Sequence, residues 1–354
     1  MVQNKGVIFK QVPDGWPVPG KDLTVEDRPI DLNQDLAPGA IIIKNFYASF
    51  DPYQRGRMRA PEAKSYAPPF ELNKPITNSA IFKVVKSNND KFKEGETLKS
   101  LGMIPIEEYS VLDKDQVDQC YKLENKYNLD PKYFLGPLGM PGLTAWSSFY
   151  EIGQPKKGET IFISAASGAV GQLVGQLAKH EGLTVIGSVG SDDKLDFITK
   201  ELNFDAGFNY KTEKPADALT RLAPNGIDIY YENVGGEQLE AAINAMNNFG
   251  RIVACGMISQ YNAKPAELYP IRNLMQIVVK RLTIRGFIVS DANMGPKHHK
   301  DHQEKLQKWL SEGSIKAKIS VTEGIDNAVG GFIGMLKGEN FGKAVLQIAD
   351  LSAE

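Results

Sequence analysis

The chain is expected to be an α/β protein in two parts, a doubly wound parallel sheet inserted into a β-rich domain whose last strands come from the C-terminus. Three observations predict this. Residues 1 to about 130 carry short β-like runs divided by Pro and Gly clusters, residues 140 to 290 alternate strand-like and helical text, and strand-like text returns after about 315. Alternation of that kind implies parallel strands joined by crossover helices. A chain of 354 residues also exceeds the size at which one core stops growing, ~250 to 300 residues. The expected boundaries are 1–131 with 315–354 for the β-rich domain and 132–314 for the α/β domain.

In order, the front runs are "GVIFKQV", "AIIIKNFYASF", "SAIFKVVKS", "ETLKSLG" and "EEYSVLD". No long helical period interrupts them. The middle reads "TIFIS", a helix to Lys179, "TVIGSVG", the helix "DKLDFITKEL", "AGFNY", the helix "PADALTRLA", "IDIYYENV", the helix "EQLEAAINAM" and "GRIVACG". An amphipathic stretch near "DHQEKLQKWLSEG" precedes the tail strands "IKAKISVTEG" and "KAVLQIAD". Pairing of those tail strands with the front is the simplest way to complete the β-rich domain.

Composition is that of an ordinary globular chain, 42% apolar and 24% charged, without repeats or biased segments. With 41 Lys and Arg against 43 Asp and Glu, no overall field invites nucleic acid or an anionic membrane. The two cysteines, Cys120 and Cys255, allow at most one bridge, and Cys255 lies in "RIVACGM", which reads as a buried strand. A reducing, cytoplasmic setting is expected, since the N-terminus has no secretory pattern, no run reaches the ~18 to 20 apolar residues of a membrane span, and "DLSAE" matches no targeting tail.

The most informative stretch is "FISAASGAVGQLVGQLAKHEG". Its strand is followed by a small-residue turn, and then Val170, Leu173, Val174, Leu177 and Ala178 recur on one helix face. This is the pattern of a dinucleotide-binding, or Rossmann, fingerprint, in which glycines admit a pyrophosphate to the backbone and let helix and strand pack closely. Gly168 and Gly171 sit at fingerprint positions and Ala166 replaces the first glycine. The anion would rest on the helix N-terminus near Ala169 and Val170. A ligand-free strand-to-helix turn would have the same sequence.

NAD-binding domains place a carboxylate at the end of the second strand for the ribose diol. Here "TVIGSVG" ends in Gly190 and Ser191, with Lys194 one turn on. Small donors and a lysine accept a 2′-phosphate that a carboxylate would repel, which favours NADP(H). Asp192 or Asp193 turned inward would instead serve NAD, or would only cap the next helix.

Together "DPYQRGRM", "LGMPGLTAW", "AASGAVGQLVGQLAK", "GSDDK", "FNYKT", "YYENVGG", "FGRIVACGMISQYN", "GFIV" and "GENFGKAV" resemble the zinc-independent medium-chain reductases, within them the alkenal and prostaglandin double-bond reductases, also called leukotriene B4 12-hydroxydehydrogenase-like proteins. The match runs from about residue 45 to 347. The resemblance implies a GroES-like β-rich catalytic domain, a Rossmann domain with a cleft between the two, and a homodimer joined through the Rossmann sheets. It also implies NADPH-dependent reduction of the carbon–carbon double bond of α,β-unsaturated aldehydes and ketones.

Carried over by motif, Gly190, Lys194 and Tyr210 would meet the phosphate and adenosine, and Ala169 and Val170 the pyrophosphate. Asn233, Cys255, Met257, Phe287, Val289 and Asn340 would line the rest of the cofactor, with Pro52 and Met140 near the nicotinamide half. Tyr261 in "ISQYN" matches the tyrosine with the family's catalytic role, and Tyr53 would face the substrate. Substrate size is not implied, because "RAPEAKSYAPPFELNKPITNSA" does not align with the family's substrate loop.

Hydride delivery to the β-carbon leaves negative charge on the carbonyl oxygen, so a donor aimed at that oxygen is the main catalytic need. A tyrosine of pKa ~10 stays neutral at pH 7 and can donate there. The bland alternatives are a packing tyrosine at 261, a turn at Asp51-Pro52, and a solvated basic loop made by Arg55, Arg57 and Arg59, which if functional would attract an anionic substrate tail. No metal site is expected. Two distant cysteines and four histidines do not supply zinc ligand sets, and "KHHKDHQEK" reads as a solvated helix start although His298 and His302 stand four apart. Rival functions are an NADPH:quinone reductase of the same superfamily and a non-catalytic NADPH-binding protein.

Overall fold

In a computed structural model, residues 1–100 and 102–351 are described. Leu101 of "ETLKSLG" and positions 352–354 of "DLSAE" lie outside them. The chain forms two compact units, one of Met1–Leu135 with Ile319–Glu354 and one of Gly136–Lys318.

The first unit is built on the strand Ile41–Ser49, whose side chains are buried at every position but Lys44. It pairs antiparallel with Ala80–Ser87 on one edge and with Lys343–Gln347 on the other. The sheet runs Cys120–Lys122, Thr97–Ser100, Ala80–Ser87, Ile41–Ser49, Lys343–Gln347 and Ile319–Glu323. The C-terminal tail therefore pairs with the front, in the register Val345 to Ser49 and Gln347 to Tyr47. Its last helix, Ala328–Leu336, closes a core with Val7, Phe9, Phe50 and Leu346, and the Phe332 ring meets Phe50 edge-on with centroids 5.8 Å apart. Each such buried phenyl contributes about 1.5–3 kcal/mol.

The second unit holds a six-stranded parallel sheet in the order Ala206–Asn209, Thr184–Val189, Thr160–Ile163, Ile227–Glu232, Met246–Ala254 and Thr283–Gly286. The chain winds outward from Thr160–Ile163 and then returns to begin the other half at Ile227–Glu232. That reversal is the topological switch point of a doubly wound sheet, where ligands bind beyond the carboxyl ends of the strands. Ile161, Phe162 and Ile163 are all fully buried, as strands covered on both faces must be. Phe162 stacks on Tyr230 with centroids 5.0 Å apart.

The helix Gly171–His180 buries Leu173, Val174, Leu177 and Ala178 on one face and ends in Lys179 and His180, cations placed favourably for the helix dipole. Gly182, at φ +77°, turns the chain out of it. The helix lies so close to its neighbour that a Cβ at Gly175 would stand 1.8 Å from the Phe204 ring. Among the described residues no helix is long and apolar enough to cross a membrane. Gly175→Ala is expected to destabilise the protein by about 1–3 kcal/mol through overpacking, despite alanine's better helix propensity. A lower urea midpoint with unchanged slope would show it, and a rise would refute the close packing.

Candidate active site

The turn after Thr160–Ile163 is built from small residues because backbone meets backbone there. A Cβ at Gly171 would lie 2.5 Å from the Ala165 carbonyl oxygen and 2.8 Å from Ala166 Cα, and one at Gly168 would lie 3.1 Å from the same oxygen. Gly171 is thus the close-packing glycine of the fingerprint. The left-handed residue of the turn is Ala165, at φ +47°, one position before the alanine expected in the first glycine's place. Ala166 is fully buried, its amide donating to Ser188 O at 2.9 Å. Ala169 and Val170 stand at the entrance of the Gly171–His180 helix, whose N-terminal end attracts anions.

At the end of the second strand, Gly190, Ser191, Lys194 and Tyr210 come together. A Cβ at Gly190 would stand 3.0 Å from the Tyr210 hydroxyl, so the glycine leaves room for the exposed ring. Ser191 caps the next helix, accepting from the Lys194 amide at 3.4 Å. Asp192 does not provide the cap; it accepts from Asn209 Nδ2 at 2.9 Å. Burial, and then repulsion from the nearby Lys211, lower the Lys194 ammonium from the usual lysine value. Two ammonium groups of like sign held together suit a multiply charged anion. Lys211 was not singled out by sequence reasoning, although it stands in the quoted motif "FNYKT".

Tyr261 follows the short turn Ile258–Gln260. Its hydroxyl accepts from the Met257 amide at 3.3 Å, and a Cβ at Gly256 would intrude to 2.8 Å from that oxygen. Asn233 is anchored to Ser164, with its Nδ2 donating to Ser164 O at 2.8 Å and its amide to Ser164 Oγ at 2.9 Å. Cys255 lies beyond the strand Met246–Ala254 and is half-buried, so the expectation of a buried strand position is corrected: the strand ends one residue earlier. Burial pushes the Cys255 thiol up to about 12. Met257 is exposed, Phe287 and Val289 are half-buried after the strand Thr283–Gly286, and Met140 opens the helix Met140–Ser148.

In the other unit, Pro52 and Tyr53 stand in a turn anchored by a buried ion pair. Lys343 and Asp51 are almost completely buried, with Nζ 3.0 Å from Asp51 Oδ1 and donating also to Phe50 O and Ala344 O. Asp51 Oδ2 accepts from Ser49 Oγ at 2.5 Å and Asn78 Nδ2 at 2.9 Å, and Asn78 Oδ1 accepts from the Tyr53 hydroxyl at 2.9 Å. Burial, then the Asp51 charge, push the Tyr53 phenol up to about 12. Asn340, half-buried, donates to Gly342 O. Lys343 was missed in the sequence, where a lysine inside the apolar run "KAVLQIA" was the available signal.

Two sequence readings are corrected here. The arginines are not a solvated basic loop that attracts an anion. Arg57 is buried, donating to Pro68 O, Thr77 O and Thr77 Oγ1, with its guanidinium 4.2 Å from the Phe70 ring centroid. Arg55 donates to Gly15 O, and Arg59 to Gly56 O, Ala63 O and Ala67 O. Their donors go to backbone carbonyls, those of Ala63, Ala67 and Pro68 in the 60–70 segment and those of Gly15, Gly56 and Thr77 outside it. Nor is His302 solvated: it is fully buried in the helix Gly295–Ser311, its Nε2 2.9 Å from Pro137 O, whereas His298 meets Glu151. Among the described residues no three His, Cys, Asp or Glu side chains gather as metal ligands.

A doubly wound parallel sheet with a tight turn of small residues at its switch point, joined in one chain to a β-rich unit, defines a nucleotide-dependent oxidoreductase of the medium-chain type. Comparison with known proteins agrees. The profile described as "N-terminal domain of oxidoreductase" matches residues 5–120, and that described as "Zinc-binding dehydrogenase" matches 169–308. An NADP-dependent oxidoreductase of Cochliobolus heterostrophus is 58% identical over 354 residues, covering 100% of both chains. A 2-alkenal reductase (NADP(+)-dependent) of Nicotiana tabacum is 41% identical over 98% of each. The crystal structure of CurA from Vibrio vulnificus in complex with NADPH superposes with a TM-score of 0.87 at 34% identity, covering 98% of this chain and 99% of that one. The chain belongs to the zinc-independent medium-chain dehydrogenase/reductase family, with the alkenal and prostaglandin double-bond reductases.

Asp51→Asn is expected to cost about 3–5 kcal/mol of stability, because it leaves the Lys343 ammonium buried without a counter-charge. Thermal melting of that variant and of Asp51→Asn with Lys343→Met would check it. The double variant should recover much of the loss; equal melting of Asp51→Asn and the native protein would refute the role of the pair.

Proposed function

We propose that the protein reduces the carbon–carbon double bond of α,β-unsaturated aldehydes and ketones with NADPH, and that Tyr261 is its catalytic donor. The observation that carries this reading is the Tyr261 hydroxyl held over Gly256 by the Met257 amide, in the loop that follows the switch-point strands. Accepting that bond polarises the O–H and strengthens it as a donor. Directed at the substrate's carbonyl oxygen, it stabilises the negative charge that develops there and lowers the barrier to attack at the β-carbon. The 41% identity to a 2-alkenal reductase supports the same substrate class.

The residues present fit NADPH, which supplies the hydride when bound. Gly168 and Gly171, beside Ala169 and Val170, make a cradle that a side chain would fill; Tyr210 stands over Gly190, Ser191 holds the Lys194 amide, and Lys211 lies near Lys194. Asn233, Cys255, Met257, Phe287, Val289 and Met140, all of the same unit, serve the nicotinamide side. A cytoplasmic homodimer completes the proposal. Thr283–Gly286 is the outer strand of the parallel sheet and exposes Ile284, and the helix Met275–Lys280 that precedes it exposes Met275, Val278 and Val279. Such an edge favours covering by a second copy.

With a medium-chain 2-alkenal, NADPH oxidation should yield the saturated aldehyde, and Tyr261→Phe should lower kcat about 10- to 100-fold while leaving NADPH binding intact. Faster turnover of a quinone than of any enone would replace the reading with quinone reduction. Lys194→Ala should raise the KM for NADPH about 10-fold and leave that for NADH nearly unchanged, the loss expected of one charge-assisted contact. Sedimentation at micromolar concentration should give twice the monomer mass; a monomer would remove the dimer.

A further inference from the structure

Glu232 is a fully buried carboxylate that the reading above leaves without a role. It ends the strand Ile227–Glu232, on the switch-point side of the sheet. Its Oε1 accepts from the amides of Val234 at 2.6 Å and Gly235 at 2.8 Å, and also from Tyr230 Oη at 3.0 Å and Ser164 Oγ at 3.3 Å. Oε2 is buried with no hydrogen-bond partner. Burial holds the carboxyl above the usual carboxylate range. A group this costly to bury is retained only where its geometry is needed or where the Val234 and Gly235 amides would otherwise be orphaned.

The two amides belong to peptides whose other edges carry the Tyr261 loop. Within one trans peptide plane the N–H and C=O point in opposite directions, so fixing one fixes the other. The Val234 N–H shares its plane with Asn233 C=O, which accepts from Ile258 N at 3.1 Å. The Gly235 N–H shares its plane with Val234 C=O, which accepts from Ser259 N at 3.0 Å and Ser259 Oγ at 2.5 Å. The Glu232 carbonyl itself takes Cys255 N and Gly256 N, at 3.0 and 3.1 Å. Every residue from Cys255 to Ser259 except Met257 is thereby tied to the segment that Glu232 clasps, and the Met257 amide is the one that holds the Tyr261 hydroxyl.

We infer that Glu232 is the positioning residue for Tyr261: its single oxygen Oε1 orients two peptides whose carbonyls set the 255–261 loop and hence the place of the tyrosine hydroxyl. The inference rests on the reading of Tyr261 as the donor, and it adds a residue that never meets the substrate. It also assigns a use to the asymmetric carboxyl. Only Oε1 has work to do, so glutamine preserves the function, whereas aspartate is one methylene too short to reach both amides.

The test compares Glu232→Gln, Glu232→Asp and Glu232→Ala with NADPH and a 2-alkenal, each alone and with Tyr261→Phe. Glu232→Gln should lower the melting temperature, because its amide N–H is buried where Oε2 has no partner, yet keep kcat within about 3-fold. Glu232→Asp and Glu232→Ala should lower kcat at least about 10-fold, but less than about 3-fold further once Tyr261 is phenylalanine, as residues acting through one another are non-additive. Equal losses in both backgrounds would overturn the inference. So would kcat following melting temperature across all three variants. A second readout uses the enzyme without cofactor, with 3-fluorotyrosine at position 261: its fluorine resonance should shift or broaden in Glu232→Asp and stay in place in Glu232→Gln. An unmoved resonance in Glu232→Asp would overturn the positioning role. If Tyr261→Phe alone leaves kcat unchanged, the catalytic reading of Tyr261 falls, and the fluorine resonance still decides whether Glu232 places it.

Discussion

Where the helix Gly171–His180 leaves its strand, the chain passes so near itself that a β-carbon at Gly171 would stand 2.5 Å from the Ala165 carbonyl oxygen. Everything proposed for the second unit follows from that approach. It brings the helix's positive end to the carboxyl ends of the strands, at the point where the sheet reverses direction. It forces small residues on the turn, and the absence of side chains leaves backbone groups to meet an anion. Gly175 against Phe204 continues the close fit along the helix, so the turn is held by packing that reaches well into the core.

Each unit places a carboxylate inside and uses its oxygens to hold backbone or side chains. Asp51 is met by an ammonium, a serine and an asparagine, and through Asn78 it fixes the direction of the Tyr53 hydroxyl. Glu232 instead gathers four neutral groups, two amides and two hydroxyls, around one oxygen. Burial disfavours charge on an isolated carboxyl, which is consistent with the upward shift of Glu232. Charged groups used this way contribute little net stability and much geometric definition, since moving any donor leaves a buried polar atom unpaired.

The Rossmann half was legible because its signals are local. Apolar runs of four to six residues, a turn of small residues and a helix with one apolar face are all read within a few neighbours. The arginines misled for the opposite reason. Arg57 and Arg59 spend their donors on carbonyls of a segment without regular structure, and a backbone carbonyl has no letter in the sequence. His302 misled in the same way, its partner being Pro137 O, 165 positions away. Cys255 was misplaced by a single residue, at a strand end where periodicity stops being informative.

By itself the sequence determined the class of each unit, the position of the small-residue turn and the family, because periodicity, glycine placement and motif order are properties of neighbours along the chain, and it suggested the return of the tail that the pairing of Lys343–Gln347 with Ile41–Ser49 shows. Only the tertiary structure decided which polar side chains are buried and what each one holds. Lys343 meets Asp51 across 292 positions, and Glu232 governs the Tyr261 loop through peptide planes whose partners, Ile258 and Ser259, lie in the loop beyond the next strand. Such pairings are chosen by desolvation: a buried charge or amide must find a partner in space, and no spacing rule along the chain names it.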